Sequence, residues 1–151
     1  MQQLITEVLD FRRLEQGKMP FHASKQNLVS FIQQIFDSFR DYASMNHIQY
    51  KLEVADENIP VWFDPVQIRK VFNNLLSNAF KFTPKEGNIT ITIIQKKDIA
   101  EIRISDTGSG IPQSQQDHIF ERFYQADNAS GVSLSGSGIG LALTREIILQ
   151  H

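Results

Sequence analysis

The apolar positions of the chain change period several times along its length, and each change marks an element. From Gln2 to Gln16, the residues Leu4, Ile5, Val8, Leu9, Phe11 and Leu14 follow helical spacing, and Gly17 is a suitable stop. This amphipathic helix starts without a capping residue, so the chain is expected to enter it part-way along a longer helix. Residues 18–26 (KMPFHASKQ) read as an extended connector. A second helix is predicted from about Asn27 to Met45, where Leu28, Phe31, Ile32, Ile35, Phe36, Phe39, Tyr42 and Ala43 make one broad apolar face. Ile48, Tyr50, Leu52 and Val54 then alternate with polar residues, as a half-buried strand does.

Asp64-Pro65 is a cap followed by proline at the first helical position, and it opens a third helix that runs to about Phe82 and is closed by Thr83-Pro84. Ile89, Ile91 and Ile93 on one side of Lys96-Lys97-Asp98, and Ala100, Ile102 and Ile104 on the other, predict a hairpin. Residues 115–122 are weakly helical in pattern, residues 124–137 are polar and rich in Gly and Ser, and a last helix runs from about Ile139 to Gln150. The mixture predicts an α/β (α+β) two-layer sandwich, a mixed but mostly antiparallel sheet with helices on one face.

Composition narrows the setting. The 151 residues are 41% hydrophobic, enough for one domain with a real core. A net charge of −2 gives no general attraction to polyanions, so no nucleic-acid partner is expected and any phosphate site is local. The absence of cysteine excludes a disulfide framework and thiolate metal sites, and fits a reducing, cytoplasmic setting. No apolar run approaches the ~20 residues of a membrane helix.

Three segments carry candidate chemistry. In the third helix (VFNNLLSNAFKFT), Val71, Phe72, Leu75, Leu76 and Ala79 form the apolar face, while Asn74, Asn78 and Lys81 follow one another at helical steps on another. A solvated surface is the plain reading. Asparagine, however, costs roughly half a kcal/mol or more against alanine at each interior helix position. An amide oxygen is a hard neutral ligand suited to Mg²⁺, and a lysine one turn on adds charge for phosphate. In GSGIGLALTREI, Gly136, Gly138 and Gly140 lead into the last helix, where exposed N–H groups and the helix dipole suit an anion. The pattern matches neither G-x-G-x-x-G nor a P-loop. The third segment is ISDTGSGIP at the end of the hairpin. Its Asp-Thr-Gly-Ser is also the local signature of an aspartic protease, which needs a second such aspartate, and this chain has a single copy.

Taken in order, these segments resemble the ATP-binding catalytic domain of sensor histidine kinases. NNLLSNAFKFT is similar to the family's N box, DTGSGIP to G1, IFERFYQ to the F box and GSGIGLAL to G2, over residues 64–150. LITEVLDFRRLEQGK resembles the end of the helix that dimerises and carries the phosphoacceptor. The resemblance implies a Bergerat-type fold, with residues 1–17 as the end of that helix, 18–26 as connector and 27–151 as the ATP-binding domain, shortened at its C-terminal hairpin. It implies Mg-ATP as ligand, with Asn78 on the metal and Asn74 and Lys81 as catalytic residues near the phosphates. Asp106 would accept the adenine amino group and face the carbonyl of guanine, giving selectivity for ATP. Gly108 and Gly110 would shape the adenine pocket. Gly136, Gly138 and Gly140 would hinge a lid formed by residues 124–137 and meet phosphate. Ile111, Ser137, Ile139 and Leu141 are also placed at the nucleotide, and Phe120 and Phe123 are expected to pack beneath the lid.

The resemblance has departures. None of His22, His47, His118 and His151 has the helical context of a phosphoacceptor. The receiving histidine would therefore stand on a separate helical domain, within a parent homodimer anchored in a membrane, with a response regulator or receiver domain as eventual acceptor. Gln125 stands where many relatives carry arginine. A non-kinase or serine-directed member of the same ATPase superfamily is the nearest alternative.

Overall fold

The computed structural model describes residues 5, 8–9, 12–13, 16–125 and 136–151. They belong to two compact units, His22–Gly110 and a second made of Met1–Phe21 with Ile111–His151. In the first, β1 (Ser24–Asn27) leads into α1 (Leu28–Ser38) and α2 (Arg40–Met45), followed by β2 (Gln49–Val54), β3 (Pro60–Phe63), α3 (Pro65–Phe82), β4 (Asn88–Lys96) and β5 (Ile99–Asp106). In the second, α4 (Gln113–Gln116) precedes α5 (Gly140–Gln150).

The sheet of the first unit has the order β2-β4-β5. Its central strand β4 reads Ile89, Ile91, Ile93 on one face, and all three are fully buried. The apolar faces of α1 (Leu28, Phe31, Ile32, Ile35) and α3 (Phe72, Leu76, Ala79, Phe80) share one continuous core with them. The two-layer arrangement thus follows from two periods, 2 in β4 and 3.6 in the helices, meeting on one surface. β4 and β5 pair antiparallel through a two-residue turn, with Lys97 at φ +53. β2 pairs with β4 in parallel, from Gln49 opposite Asn88 to Val54 opposite Ile93.

Asp64 does at the start of α3 what the sequence predicts. Its Oδ1 accepts from the N–H groups of Val66 (2.9 Å) and Gln67 (3.1 Å), Pro65 takes the first helical position, and Oδ2 accepts from His22 N–H at 2.7 Å. Thr83 ends the helix in extended conformation. The expected stop at Gly17 is also present, at φ +62, with Lys18 N–H reaching the Arg13 carbonyl at 2.8 Å across a Schellman-type end.

Three expectations need correction. The connector contains a strand: β1 pairs antiparallel with β3, Ser24 opposite Phe63 and Asn27 opposite Pro60. The helix expected over Asn27–Met45 breaks at Phe39, where the Ser38 hydroxyl donates to the Ile35 carbonyl at 2.6 Å and competes with the helical ladder. Asn27 is its cap, accepting from Val29 N–H at 3.0 Å, and Tyr42 at its far end is exposed. In the stretch 115–122 only Gln115 and Gln116 are helical, as the end of a short helix from Gln113, and turns and a bend follow. Most of the expected lid, residues 126–135, lies outside the described residues. No helix among the described residues is long and apolar enough to cross a membrane.

Candidate functional site

Within the first unit, α3 carries Asn74, Asn78 and Lys81 along a half-buried stripe, between the buried face of Val71, Phe72, Leu76 and Ala79 and the exposed Asn73 and Ser77. This boundary position suits a ligand, because the backbone is fixed by the core while the amide or ammonium end can still reach outward. The Asn78 side chain makes no hydrogen bond to any described residue. The Lys81 ammonium lies over the Phe82 ring, 5.0 Å from its centroid. Among the described residues no group of three or more His, Asp or Glu side chains could hold a metal by itself. A divalent cation here would therefore take one neutral amide and draw its remaining ligands from phosphate and water, which is a habit of Mg²⁺.

The end of α3 and the turn after β5 are brought together. Asp106 closes β5 and is exposed. Its Oδ1 accepts from Gly108 N–H at 2.8 Å, and its other carboxylate oxygen has no hydrogen-bond partner among the described residues. A Cβ built on Gly108 would stand 2.8 Å from the Phe82 carbonyl oxygen and 2.7 Å from Asp106 Oδ1, so glycine is what lets the turn lie against the helix end. Thr107, which no periodic pattern marks in the sequence, locks the same turn to the sheet. Its N–H donates to the Asn88 carbonyl at 3.1 Å, and its hydroxyl accepts from Asn88 N–H at 2.9 Å. Gly110, at φ +70, has open space around it.

In the second unit, Ile111 is exposed, and Gly136, Ser137, Gly138, Ile139, Gly140 and Leu141 form the approach to α5 and its first turn. Ile139 is buried and occupies the cap position without a side-chain acceptor for the helix's first N–H groups. Its own N–H donates to the Ser137 hydroxyl at 3.2 Å. α3 and α1 have Asp64 and Asn27 as caps, whereas α5 leaves its N-terminus to be satisfied by something else. The glycine run is held from one side. Phe123 N–H donates to the Gly138 carbonyl at 2.9 Å, and a Cβ on Gly138 (φ +67) would fall 2.7 Å from Phe123 Cα. Phe120 and Phe123 are both exposed, 42% and 68%, and most of the lid beneath which they are expected to pack lies outside the described residues.

Residues 63–151, more than half of the chain, match the histidine kinase-, DNA gyrase B- and HSP90-like ATPase family, and the chain belongs to that family. The chain is 36% identical over 99% of its length to histidine kinase P4 of Formosa agariphila. It is 34% identical over 99% to the circadian input-output histidine kinase CikA of Synechococcus elongatus. It spans 11% and 20% of the length of those proteins. Among solved structures, the catalytic domain of histidine kinase ThkA aligns over 85% of this chain and 82% of its own, with a TM-score of 0.76 and 26% identity. The resemblance drawn from the four boxes is thereby supported, and the aspartic protease reading of Asp-Thr-Gly-Ser falls.

Proposed function

We propose that the chain is the ATP-binding catalytic part of a two-component sensor histidine kinase, which binds Mg-ATP and donates the γ-phosphate to a histidine on a separate helical domain. The observation that carries this reading is Asp106, whose Oδ1 is committed to Gly108 N–H while the second oxygen remains to accept from a ligand at an exposed strand end. A carboxylate so divided accepts an exocyclic amine and opposes a carbonyl, which is the difference between adenine and guanine. Gly108 and Gly110 keep side chains out of that pocket.

Asn78 is the protein ligand to Mg²⁺, which when bound neutralises phosphate charge. Asn74 and Lys81, on the same stripe, orient the phosphates and balance the charge that develops during transfer. Gly136, Ser137, Gly138 and Gly140, at the start of α5, are assigned by this reading to the phosphates, and Ile111, Ile139 and Leu141 to the nucleotide. The chain contributes positioning and electrostatics, while the nucleophile comes from elsewhere. Residues 1–17 are read as the end of the dimerisation and phosphoacceptor helix, a reading supported by similarity to the kinases named above over 99% of the chain. On this reading the parent is a homodimer, membrane-anchored with this part in the cytoplasm, and a response regulator or receiver aspartate takes the phosphoryl group last.

The test is titration with a nonhydrolysable ATP analogue and the matching GTP analogue, with and without Mg²⁺, followed by phosphoryl transfer to the helical domain of the parent protein. ATP binding that needs Mg²⁺ and exceeds GTP binding is expected. Equal affinity for the two nucleotides, or none for either, overturns the reading.

A further inference from the structure

Gln125 has its side-chain amide engaged with the backbone of the glycine run. Gln125 Nε2 donates to the Gly136 carbonyl at 2.8 Å. Two residues before it, Phe123 N–H donates to the Gly138 carbonyl at 2.9 Å. The pairs 123–138 and 125–136 step in opposite directions along the two segments, as the rungs of an antiparallel ladder do, with the Gln125 side chain supplying the second rung. Gly138 can approach this closely because a Cβ there would meet the Phe123 backbone at 2.7 Å.

We infer that Gln125 is a positioning residue for the nucleotide's phosphates, acting through the Gly136–Gly138 backbone rather than by touching phosphate itself. The physical link is the planar trans peptide. Its carbonyl and the following N–H point in opposite directions, so a carbonyl held at one face fixes where the next N–H aims. With Gly136 O turned to Gln125, the clasp sets the direction of the Ser137 N–H, and with Gly138 O turned to Phe123 it sets that of the Ile139 N–H, which donates to the Ser137 hydroxyl. Three glycines in this run would otherwise cost much conformational entropy to order around an anion, and the clasp meets part of that cost before the ligand arrives. The clasp needs a donor of this length. An arginine could reach further out, and a glutamate would oppose the Gly136 carbonyl acceptor to acceptor.

The inference rests on the nucleotide-binding reading above, and its test separates the two. In the nucleotide-free protein, amide hydrogen exchange of Phe123 is compared between wild type and Gln125→Leu, which keeps bulk and neutrality and removes the donor. Faster exchange at Phe123, with unchanged protection in α3, is expected. Affinity for a nonhydrolysable ATP analogue and for ADP, both with Mg²⁺, should fall together by roughly 3- to 10-fold, the scale of one hydrogen bond. Loss confined to the ATP analogue with Phe123 exchange unaltered would assign Gln125 to direct γ-phosphate contact and overturn the inference, as would no change in either measurement. If the wild type binds no nucleotide, the functional reading fails. Unaltered Phe123 exchange in the variant would then dispose of the clasp as well.

Discussion

Gly108 and Gly138 both lie so close to a neighbouring backbone that no side chain fits, yet what stands behind each neighbour differs. Gly108 is pressed against the Phe82 carbonyl at the end of α3, a helix anchored by Phe72, Leu76, Ala79 and Phe80 in the main core. Gly138 is pressed against Phe123, which is exposed and is tied to the glycine run by one backbone hydrogen bond. One group of candidate site residues inherits its geometry from a hydrophobic core, and the other from a few polar contacts near solvent. Adenine recognition and metal binding fall to the first group on the proposed reading, and phosphate contact to the second. A rigid base-reading pocket suits specificity, whereas a lightly held backbone suits a step in which phosphate must be gripped and released.

The largest effect should come from weakening the core behind the first group. Leu76 is fully buried one turn before Phe80, and Leu76→Ala is expected to cost about 2–5 kcal/mol in chemical denaturation. If that loss were under about 1 kcal/mol, the core would not be what fixes α3, and the contrast between the two groups would lose its basis.

Next in size is Asp106→Asn. With the asparagine carbonyl oxygen kept on Gly108 N–H, the position of the second carboxylate oxygen is taken by an NH2 group, a donor facing the adenine amine. Loss of a charge-assisted bond with a donor left unpaired is worth about 2–3 kcal/mol, or roughly 30- to 150-fold in ATP affinity, with little change in thermal stability. Undiminished ATP affinity in this variant would remove Asp106 from the site.

Three glycine variants then set the groups side by side. Gly108→Ala should lower stability by about 1–3 kcal/mol, because the added methyl meets a helix end that the core will not let move. Gly110→Ala has open space and pays only for its positive φ, about 1–2 kcal/mol. Gly138→Ala meets both obstacles, yet its neighbour can yield. It should therefore appear as lost amide protection at Phe123 more than as a shift in the main unfolding transition. An unfolding shift for Gly138→Ala as large as that for Gly108→Ala would erase the distinction.

Legibility in the sequence follows the same division. The α3 helix, its Asp64-Pro65 start, the β4–β5 hairpin and the placement of Asp106 at a strand end were readable because period, cap and burial agree there. The β1–β3 pair was not, since SKQN has no apolar alternation and PVWF opens on a proline. Nor was the parallel alignment of β2 with β4, because alternation gives a strand its faces and says nothing of its partner's direction. The break at Phe39 hides behind an unbroken apolar stripe and depends on one serine hydroxyl. In the second group the glycines announced themselves, but the clasp from Gln125 did not. A lone glutamine carries no periodic signal, and its role exists only once two distant segments run side by side.

The smallest expected effect tests how lightly the approach to the glycine run is held. His118 Nδ1 lies 2.7 Å from Glu121 Oε1, and both side chains are exposed. The hydrogen bond to Glu121, then its charge, holds the His118 imidazole above its ordinary value near 6.5. A raised folded value means that the pair's contribution is fully present below the unfolded value. It is lost as pH rises through the folded one. Exposure and salt keep that contribution small. The expected result is a His118 titration midpoint above 6.5 by NMR in wild type, falling toward it in Glu121→Gln and at high salt. Any stability gap between the two proteins should be present at pH 5.5 and absent at pH 8.5. A gap that persists at alkaline pH would mean that Glu121 acts through a neutral histidine, and that this stretch is held by packing, as the first group is.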